Sequence, residues 1–339
     1  MNQNLLSGKP AITVLMAVYN GERWLDESIS SVLNQSFRNF EFIVVNDGST
    51  DSSSDILEKY RSKDNRVRVI NKNNTGLASS LNKGLIEAKG EWIARLDADD
   101  ICEKNRLQLQ YEFACFHSDA VLIGSGFYQI DENSDVIYTR LYPTQHQALL
   151  NRLRKNKAFF PHSSAFFNTK TVLSLSGYRP RITRSEDYDL WLRLSEVGRL
   201  YSINKPLVRV RIHQEQISLD GNGAVQFIDG RVALVSYLMR REGLADPVDN
   251  HNDESFYKLR KFIENETVKS GDLELHKFIH KLRGSANLRN KSLYDRLVIL
   301  WLIVSKPFLS LKHIAKKLFG DRFAQAVARR FANSDLNLR

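Results

Sequence analysis

The stretch GEWIARLDADD, Gly90 to Asp100, joins an apolar alternation to a run of acids. Trp92, Ala94 and Leu96 recur at every second position, which predicts a short strand from Glu91 to Leu96. Asp97, Asp99 and Asp100 follow at its end. In an open α/β sheet, ligands bind beyond the carboxyl ends of the strands, so acids there are placed to meet a ligand rather than to pack. Carboxylates this close repel one another. A hard divalent cation such as Mg2+ or Mn2+, shared with phosphate oxygens, would relieve the repulsion. A solvated turn leading into the next helix accounts for the same acids, so the flanking sequence has to separate the two readings.

Upstream, the chain alternates strands with helices. Ile12 to Val18 is a continuous apolar run that ends in Tyr19-Asn20-Gly21, as a buried parallel strand feeding a turn should. Leu25, Ile29, Val32 and Leu33 then fall on one helical face. A second strand, Glu41 to Asn46, runs into Asp47-Gly48-Ser49-Thr50-Asp51, whose last three residues are helix-capping types, and a helix carries Ile56, Leu57 and Tyr60. A third strand, Val67 to Asn71, leads through Asn73-Asn74-Thr75-Gly76 to a helix with Leu77, Leu81, Leu85 and Ala88 on one side. Strands separated by single helices predict right-handed crossovers and a mainly parallel sheet. The chain carries no GxGxxG after its first strand and no GxxxxGK[ST], so neither a dinucleotide fingerprint nor a P-loop is present.

At 339 residues, with 42% hydrophobic and 26% charged residues, the chain is long enough for a domain of ordinary size and an appendage. Two cysteines, Cys102 and Cys115, without a CxxC, predict a reducing compartment and no structural zinc. The amino terminus has no cationic segment leading into an apolar core, which predicts a chain that stays in the cytoplasm. The net charge of +10 is concentrated: from Asp272 onward fourteen lysines and arginines face five acids, a surplus of nine.

Five segments, taken in order, resemble the family 2 glycosyltransferases of the GT-A fold. They are AVYNGERWLDESISSVLNQS, EFIVVNDGSTD, NTGLASSLNKGLIEAKGEWIARLDADD, SEDYDLWLRL and RVRIH. The likeness runs from about Ile12 to Ser218 and fades after Gly221. It implies an α/β GT-A fold, Rossmann-like, with a mainly parallel sheet and flanking helices. The expected division is a nucleotide-sugar-binding and catalytic domain over 1–220 and a helical, basic extension over 221–339.

The resemblance implies a UDP-sugar donor lying across the ends of the first strands. Ala17, Val18 and Tyr19 would line the base pocket, and Glu22 would support the ribose side. Asp47 would accept the uracil N3–H, and an imide N–H does need a fixed acceptor. Asn74, Gly76 and Asn82 correspond to the sugar-phosphate side, although Gly76 reads equally as a turn glycine and Asn82 as a surface polar group. Arg95 could steady the diphosphate or be a packed, paired arginine. Asp97 would contact ribose and Asp99 would bind the metal, Mn2+ or Mg2+, that neutralises the departing nucleoside diphosphate; Asp100 is unassigned. His213 corresponds to a late histidine that some relatives use as a ligand.

In the second half, Ser185 precedes a helix whose apolar side is Leu190, Trp191 and Leu194, with Glu186 and Asp187 where the helix dipole favours acids. That explains them structurally. The resemblance implies in addition that Glu186-Asp187 is the family's acid pair, with Asp187 the general base that takes the acceptor hydroxyl proton as it attacks with inversion. His162, Tyr178 and Trp191 are the candidates beside the acceptor.

Beyond Gly221, Phe227 to Met239 and Phe256 to Val268 read as amphipathic helices. The run LVILWLIV, 297–304, is too short to span a bilayer, which takes about 20 residues. With the lysines that follow, it fits either a helical cap or an interfacial segment on an anionic membrane, near a lipid-linked saccharide acceptor at the inner face. The setting expected from the resemblance is bacterial surface polysaccharide or O-antigen synthesis. Two rivals follow from the same features. One is a nucleotidyltransferase of related fold, which would release diphosphate. The other is a nucleic-acid-binding protein using the basic tail, but the sheet domain lacks a basic and aromatic face for it, so no nucleic acid is expected.

Overall fold

The computed structural model describes residues 8–156, 159–213, 223–249 and 253–269. These residues form two compact units, each described by itself. The first comprises 8–153, 159–180 and 193–212; the second comprises 154–156, 181–192, His213, 223–249 and 253–269.

The first unit is built on a sheet. β1 (Ile12–Val18), β2 (Phe40–Asn46), β3 (Val67–Asn71) and β4 (Trp92–Arg95) are parallel in the order β3-β2-β1-β4. They are linked by α1 (Glu22–Leu33), α2 (Ser53–Lys63) and α3 (Leu77–Glu87). The expected β–α alternation is therefore present. β1, β2 and β4 are buried almost throughout, as the near-continuous apolar runs require of strands covered on both faces. The fourth strand is shorter than its alternation suggested, because Leu96 already turns toward the DADD loop while its amide still bonds Leu15 O at 3.1 Å.

After β4 the sheet changes character. β5 (Ile101–Cys102), α4 (Arg106–Phe116), β6 (Ala120–Ile130), β7 (Val136–Arg140) and α5 (His146–Arg154) come next. They are followed by a 3-10 turn at His162–Ser164, β8 (Phe166–Asn168), α6 (Thr169–Ser174), α7 (Glu186–Val197) and β9 (Arg199–Arg211). β8 joins β4 antiparallel, and the sheet continues β8-β6-β9-β5, with β7 pairing antiparallel with Phe127–Ile130 of β6, beyond the residues that pair with β8. Among the described residues the sheet has nine strands. Its core packs Ile12, Val14, Phe42, Val44, Trp92, Ala94 and Phe166 against Leu25, Ile29 and Val32 of α1.

In the second unit, the segment Arg181 to Leu192 accompanies α8 (Ala224–Arg241) and α9 (Asp253–Lys269). α9 shows the amphipathic pattern, burying Phe256, Leu259 and Ile263 on one face, whereas α8 differs from the expected one-sided pattern: it is buried on all sides from Val232 to Met239. Among the described residues no helix is long and apolar enough to cross a membrane. The LVILWLIV run and the basic tail lie outside the described residues.

Candidate active site

Because β1, β2 and β4 are parallel and adjacent, the segments after Val18, Asn46 and Arg95 emerge at one edge of the sheet. Backbone and side-chain bonds tie these segments together. Asp47 N donates to Val18 O at 2.8 Å, Asn20 N to Ser49 Oγ at 3.0 Å and Thr50 N to Asn20 Oδ1 at 2.8 Å. Glu22 and Asp51 exchange backbone bonds across the same gap, Glu22 N to Asp51 Oδ2 at 3.0 Å and Ser52 N to Glu22 Oε2 at 2.8 Å. Glu22 is thus a tie between two loops as well as a donor-side candidate. Gly48 has φ +76, and a Cβ there would stand 2.8 Å from Asn74 N, so the turn after β2 requires glycine. Ala17 is half-buried, Val18 buried and Tyr19 exposed.

Asp47 sits in this edge, 4% exposed. Thr75 N donates to its Oδ1 and Gly76 N to its Oδ2, each at 2.9 Å, and Lys72 pairs with Oδ1. Burial pushes the carboxyl's pKa up, but Lys72, Thr75 N and Ser80 outweigh it and hold the group below its ordinary value. These donors hold the carboxylate ionised and fixed in orientation at the ends of the first strands. Lys72 was not among the candidates from sequence, where a lysine after a strand reads as solvated. Gly76 has φ +90 and precedes α3, so it serves both as a turn glycine and as a backbone donor to Asp47. Asn74 is exposed.

The DADD loop divides its acids. Arg95 is completely buried and ion-paired with Asp97, which corresponds to the packed-arginine alternative. Its Nε and Nη1 have no hydrogen-bond partner among the described residues. Asp97 is half-buried; burial raises its pKa, and Arg95 and Ser163 together bring it below the ordinary value. Asp100 is buried, accepts Arg211 N at 2.9 Å and touches Ser163 Oγ. Burial first, then the charges of Asp99 and Asp97, push its pKa well up.

Ser163 Oγ lies between both acids, 2.7 Å from Asp97 Oδ2, and also receives Asp97 N at 3.1 Å. One hydroxyl proton cannot serve two carboxylates. The two carboxyls are shifted in opposite directions, Asp97 downward and Asp100 upward, so the acids that share this hydroxyl are chemically unlike. No motif singles out Ser163, and only the fold brings it to the acids. Asp99 is half-buried, and its backbone carbonyl accepts Arg211 Nε at 2.9 Å. Its carboxylate is a hard oxygen donor and so has the chemistry that Mg2+ or Mn2+ prefers. Among the described residues, no group of three or more His, Cys, Asp and Glu side chains is arranged to hold an ion.

Several candidates turn out to hold the framework. Asn82 grips the turn at Tyr178, with Nδ2 donating to Tyr178 O at 2.7 Å and Oδ1 accepting Tyr178 N at 2.8 Å. Tyr178 is 1% exposed, and its hydroxyl lies 2.7 Å from His162 Nε2. Burial, reinforced by Arg95, lowers the His162 pKa well below its usual value, so the ring is neutral. In the second unit Trp191 is 1% exposed. Tyr178 and Trp191 are therefore core side chains here, offering an acceptor almost no surface.

Also in the second unit, Glu186 and Asp187 occupy the first turn of α7. Glu186 is buried, whereas Asp187 is half-buried with Oδ1 accepting Tyr188 N at 2.6 Å. His213 is 8% exposed.

Comparison with known proteins agrees with this architecture. The S. aureus TarS 1–349 structure in complex with UDP-GlcNAc superimposes with a TM-score of 0.58 at 19% identity, covering 94% of this chain and 91% of that one. At that identity the likeness shows the fold alone, which is GT-A. The profile described as Glycosyl transferase family 2 matches residues 13–174. The putative glycosyltransferase EpsE of Bacillus subtilis is 37% identical over 211 residues, 61% of this chain and 74% of the relative. The O-antigen biosynthesis glycosyltransferase WbnJ of Escherichia coli is 33% identical over 208 residues, 60% and 80% of the two chains. The chain belongs to the family 2 glycosyltransferases.

Proposed function

We propose that the protein transfers a hexose or N-acetylhexosamine, with inversion, from a UDP-sugar to a hydroxyl of a saccharide acceptor in polysaccharide or O-antigen assembly. The observation that carries the donor assignment is Asp47. Thr75 N, Gly76 N and Lys72 hold its carboxylate fixed at the ends of the first strands, and a fixed acceptor is what an imide N–H requires. The relative named for O-antigen biosynthesis and the neighbour complexed with UDP-GlcNAc support the substrate classes.

Asp97, steadied by Arg95 and Ser163, orients the ribose, while Ala17, Val18 and Tyr19 border the base and Glu22, Asn74 and Gly76 shape the neighbouring loops. Asp187 takes the proton from the attacking hydroxyl, and Glu186 supports it. Asp99 would be a ligand of a divalent cation, which when bound neutralises charge on the departing UDP. The proposed catalytic residues fall within 1–220, although the segment bearing Asp187 belongs to the same unit as α8 and α9, and the basic extension over 221–339 favours a peripheral position on an anionic membrane beside a lipid-linked acceptor.

UDP release from UDP-glucose, UDP-galactose and their N-acetyl forms, measured with Mn2+, tests this reading. One donor should be strongly preferred, and Asp99→Ala and Asp187→Asn should each abolish transfer while leaving the protein folded. Full turnover by Asp99→Ala would remove the metal role, and full turnover by Asp187→Asn the base role.

A further inference from the structure

Just before α7, the chain from Arg181 to Ser185 has no regular secondary structure, yet it leads directly into Glu186 and Asp187. Its polar groups are held by α8 and α9, in a region beyond the segment matched by the family profile. Asp229 of α8, 0% exposed, accepts Thr183 N at 2.9 Å, Thr183 Oγ1 at 3.0 Å and Arg184 N at 3.0 Å, all on Oδ2. Its Oδ1 pairs with Arg260 of α9, so the same carboxylate ties α8 to α9. Ser185 Oγ donates to Gln226 O of α8 at 2.9 Å. Arg181 pairs with Asp253 at the start of α9 and lies 5.7 Å from the centroid of Phe256.

These anchors have one feature in common: they hold backbone and side chains within six residues of Asp187. A buried carboxylate with donors on both oxygens is sterically specific. Its closest isostere, the amide of asparagine, offers an acceptor on one side only. The other side would present N–H groups either to Thr183 and Arg184 or to the Arg260 guanidinium, and these are all donors. A solvated helical appendage would not need such a group at its centre.

We infer that Asp229 and its partner Arg260 are positioning residues for the glycosyl transfer, holding the segment that presents Asp187 so that α8 and α9 act as a buttress of the base. This rests on the proposed role of Asp187. A misplacement of about 1 Å in a catalytic group can cost on the order of a hundredfold in rate. The buttress therefore acts on turnover and leaves donor binding alone.

The experiment uses the full chain and the UDP-sugar that gives UDP release in the donor screen. Asp229→Asn should lower kcat by roughly tenfold to a hundredfold while the donor KM and the affinity for UDP stay within about twofold. Arg260→Lys, which keeps the charge, should retain more of kcat than Arg260→Met. Deuterium exchange of peptides spanning 181–192 should quicken in Asp229→Asn, with peptides of β1 and β2 unchanged. Wild-type kcat, or unchanged exchange over 181–192, would overturn the inference.

If Asp229→Asn fails to accumulate as a UDP-binding protein, Arg181→Gln and Ser185→Ala take its place. Each removes one anchor and should lower kcat at constant UDP affinity, and wild-type kcat in both would overturn the inference equally. Asp187→Asn, run in parallel, separates the two ideas. Full turnover in that variant defeats the base assignment itself, whereas a dead Asp187→Asn beside a fully active Asp229→Asn defeats only the buttress.

Discussion

Replacing Arg211 by methionine should destabilise the first unit and loosen the DADD loop. The side chain is 1% exposed at the end of β9. Nε donates to Asp99 O at 2.9 Å, and Nη1 donates to Asp131 O at 3.1 Å, Glu132 O at 3.2 Å and Ser134 Oγ at 3.0 Å. Nη2 reaches Glu27 Oε2 at 2.6 Å, and the guanidinium lies 5.4 Å from the Trp24 ring centroid. Hydrogen bonds to a charged group contribute about 1.5–3 kcal/mol each, but these share one cation and do not add. Removing one member of a buried ion pair costs about 3–5 kcal/mol. The Glu27 side chain is 46% exposed and regains water once released, so the lower end applies, about 3 kcal/mol. At about 2–4 °C per kcal/mol, the melting temperature should fall by roughly 6–12 °C. Arg211→Lys restores a charge for Glu27, but a single ammonium cannot also reach carbonyls on two loops, so it should recover less than half. Thermal and urea unfolding followed by fluorescence measure both variants. A loss within about 1 kcal/mol of zero for Arg211→Met, an ordinary surface-substitution effect, would refute the reasoning, as would full recovery by lysine.

Two further variants probe the same region. His162 is neutral when folded, whereas an unfolded histidine titrates near 6.5, so below about that pH the unfolded chain binds a proton that the folded chain does not. That group alone should remove stability at about 1.4 kcal/mol per pH unit as pH falls toward the lowered folded pKa; His162→Gln should flatten this part of the profile in urea titrations from pH 7 to 5, and an unchanged slope would count against it. At Gly177, φ is +66 and a Cβ would lie 2.4 Å from Asn82 Oδ1, the atom that accepts Tyr178 N. Gly177→Ala should therefore cost about 2–4 kcal/mol, combining left-handed strain with the broken grip, and wild-type stability would show that the turn relaxes freely.

The first half of the sheet was legible because its signals are local. Ile12–Val18, Phe40–Asn46 and Val67–Asn71 are apolar or alternating runs closed by Asn, Gly and Asp, and each neighbours the next in space or one strand away. The later half was not, since β8 pairs with both β4 and β6, and β9 comes between β6 and a two-residue β5. Such pairings depend on contacts far apart in the chain, which periodicity does not encode. The same limit applies in the site. Asp47 could be found from its place after EFIVVN, but Lys72 on its carboxylate could not.

The DADD loop shows most plainly why residue type alone underdetermines a site. Its acids look equivalent in sequence, and the fold makes them chemically unlike. Asp97 lies next to Arg95 and stays ionised; Asp100 is turned inward beside Ser163 and Arg211 N, where burial and its neighbours' charge favour the protonated form. Ser163 and Arg211 come from elements 63 and 111 residues away from Asp100. The repulsion that first suggested a cation for all three acids thus falls unequally on them, and most on the buried Asp100. The metal question narrows to Asp99, whose backbone carbonyl Arg211 holds from β9, the strand paired with β5. That division also explains why a conservative change at Asp100 should act through loop geometry, whereas one at Asp99 should act through the departing diphosphate.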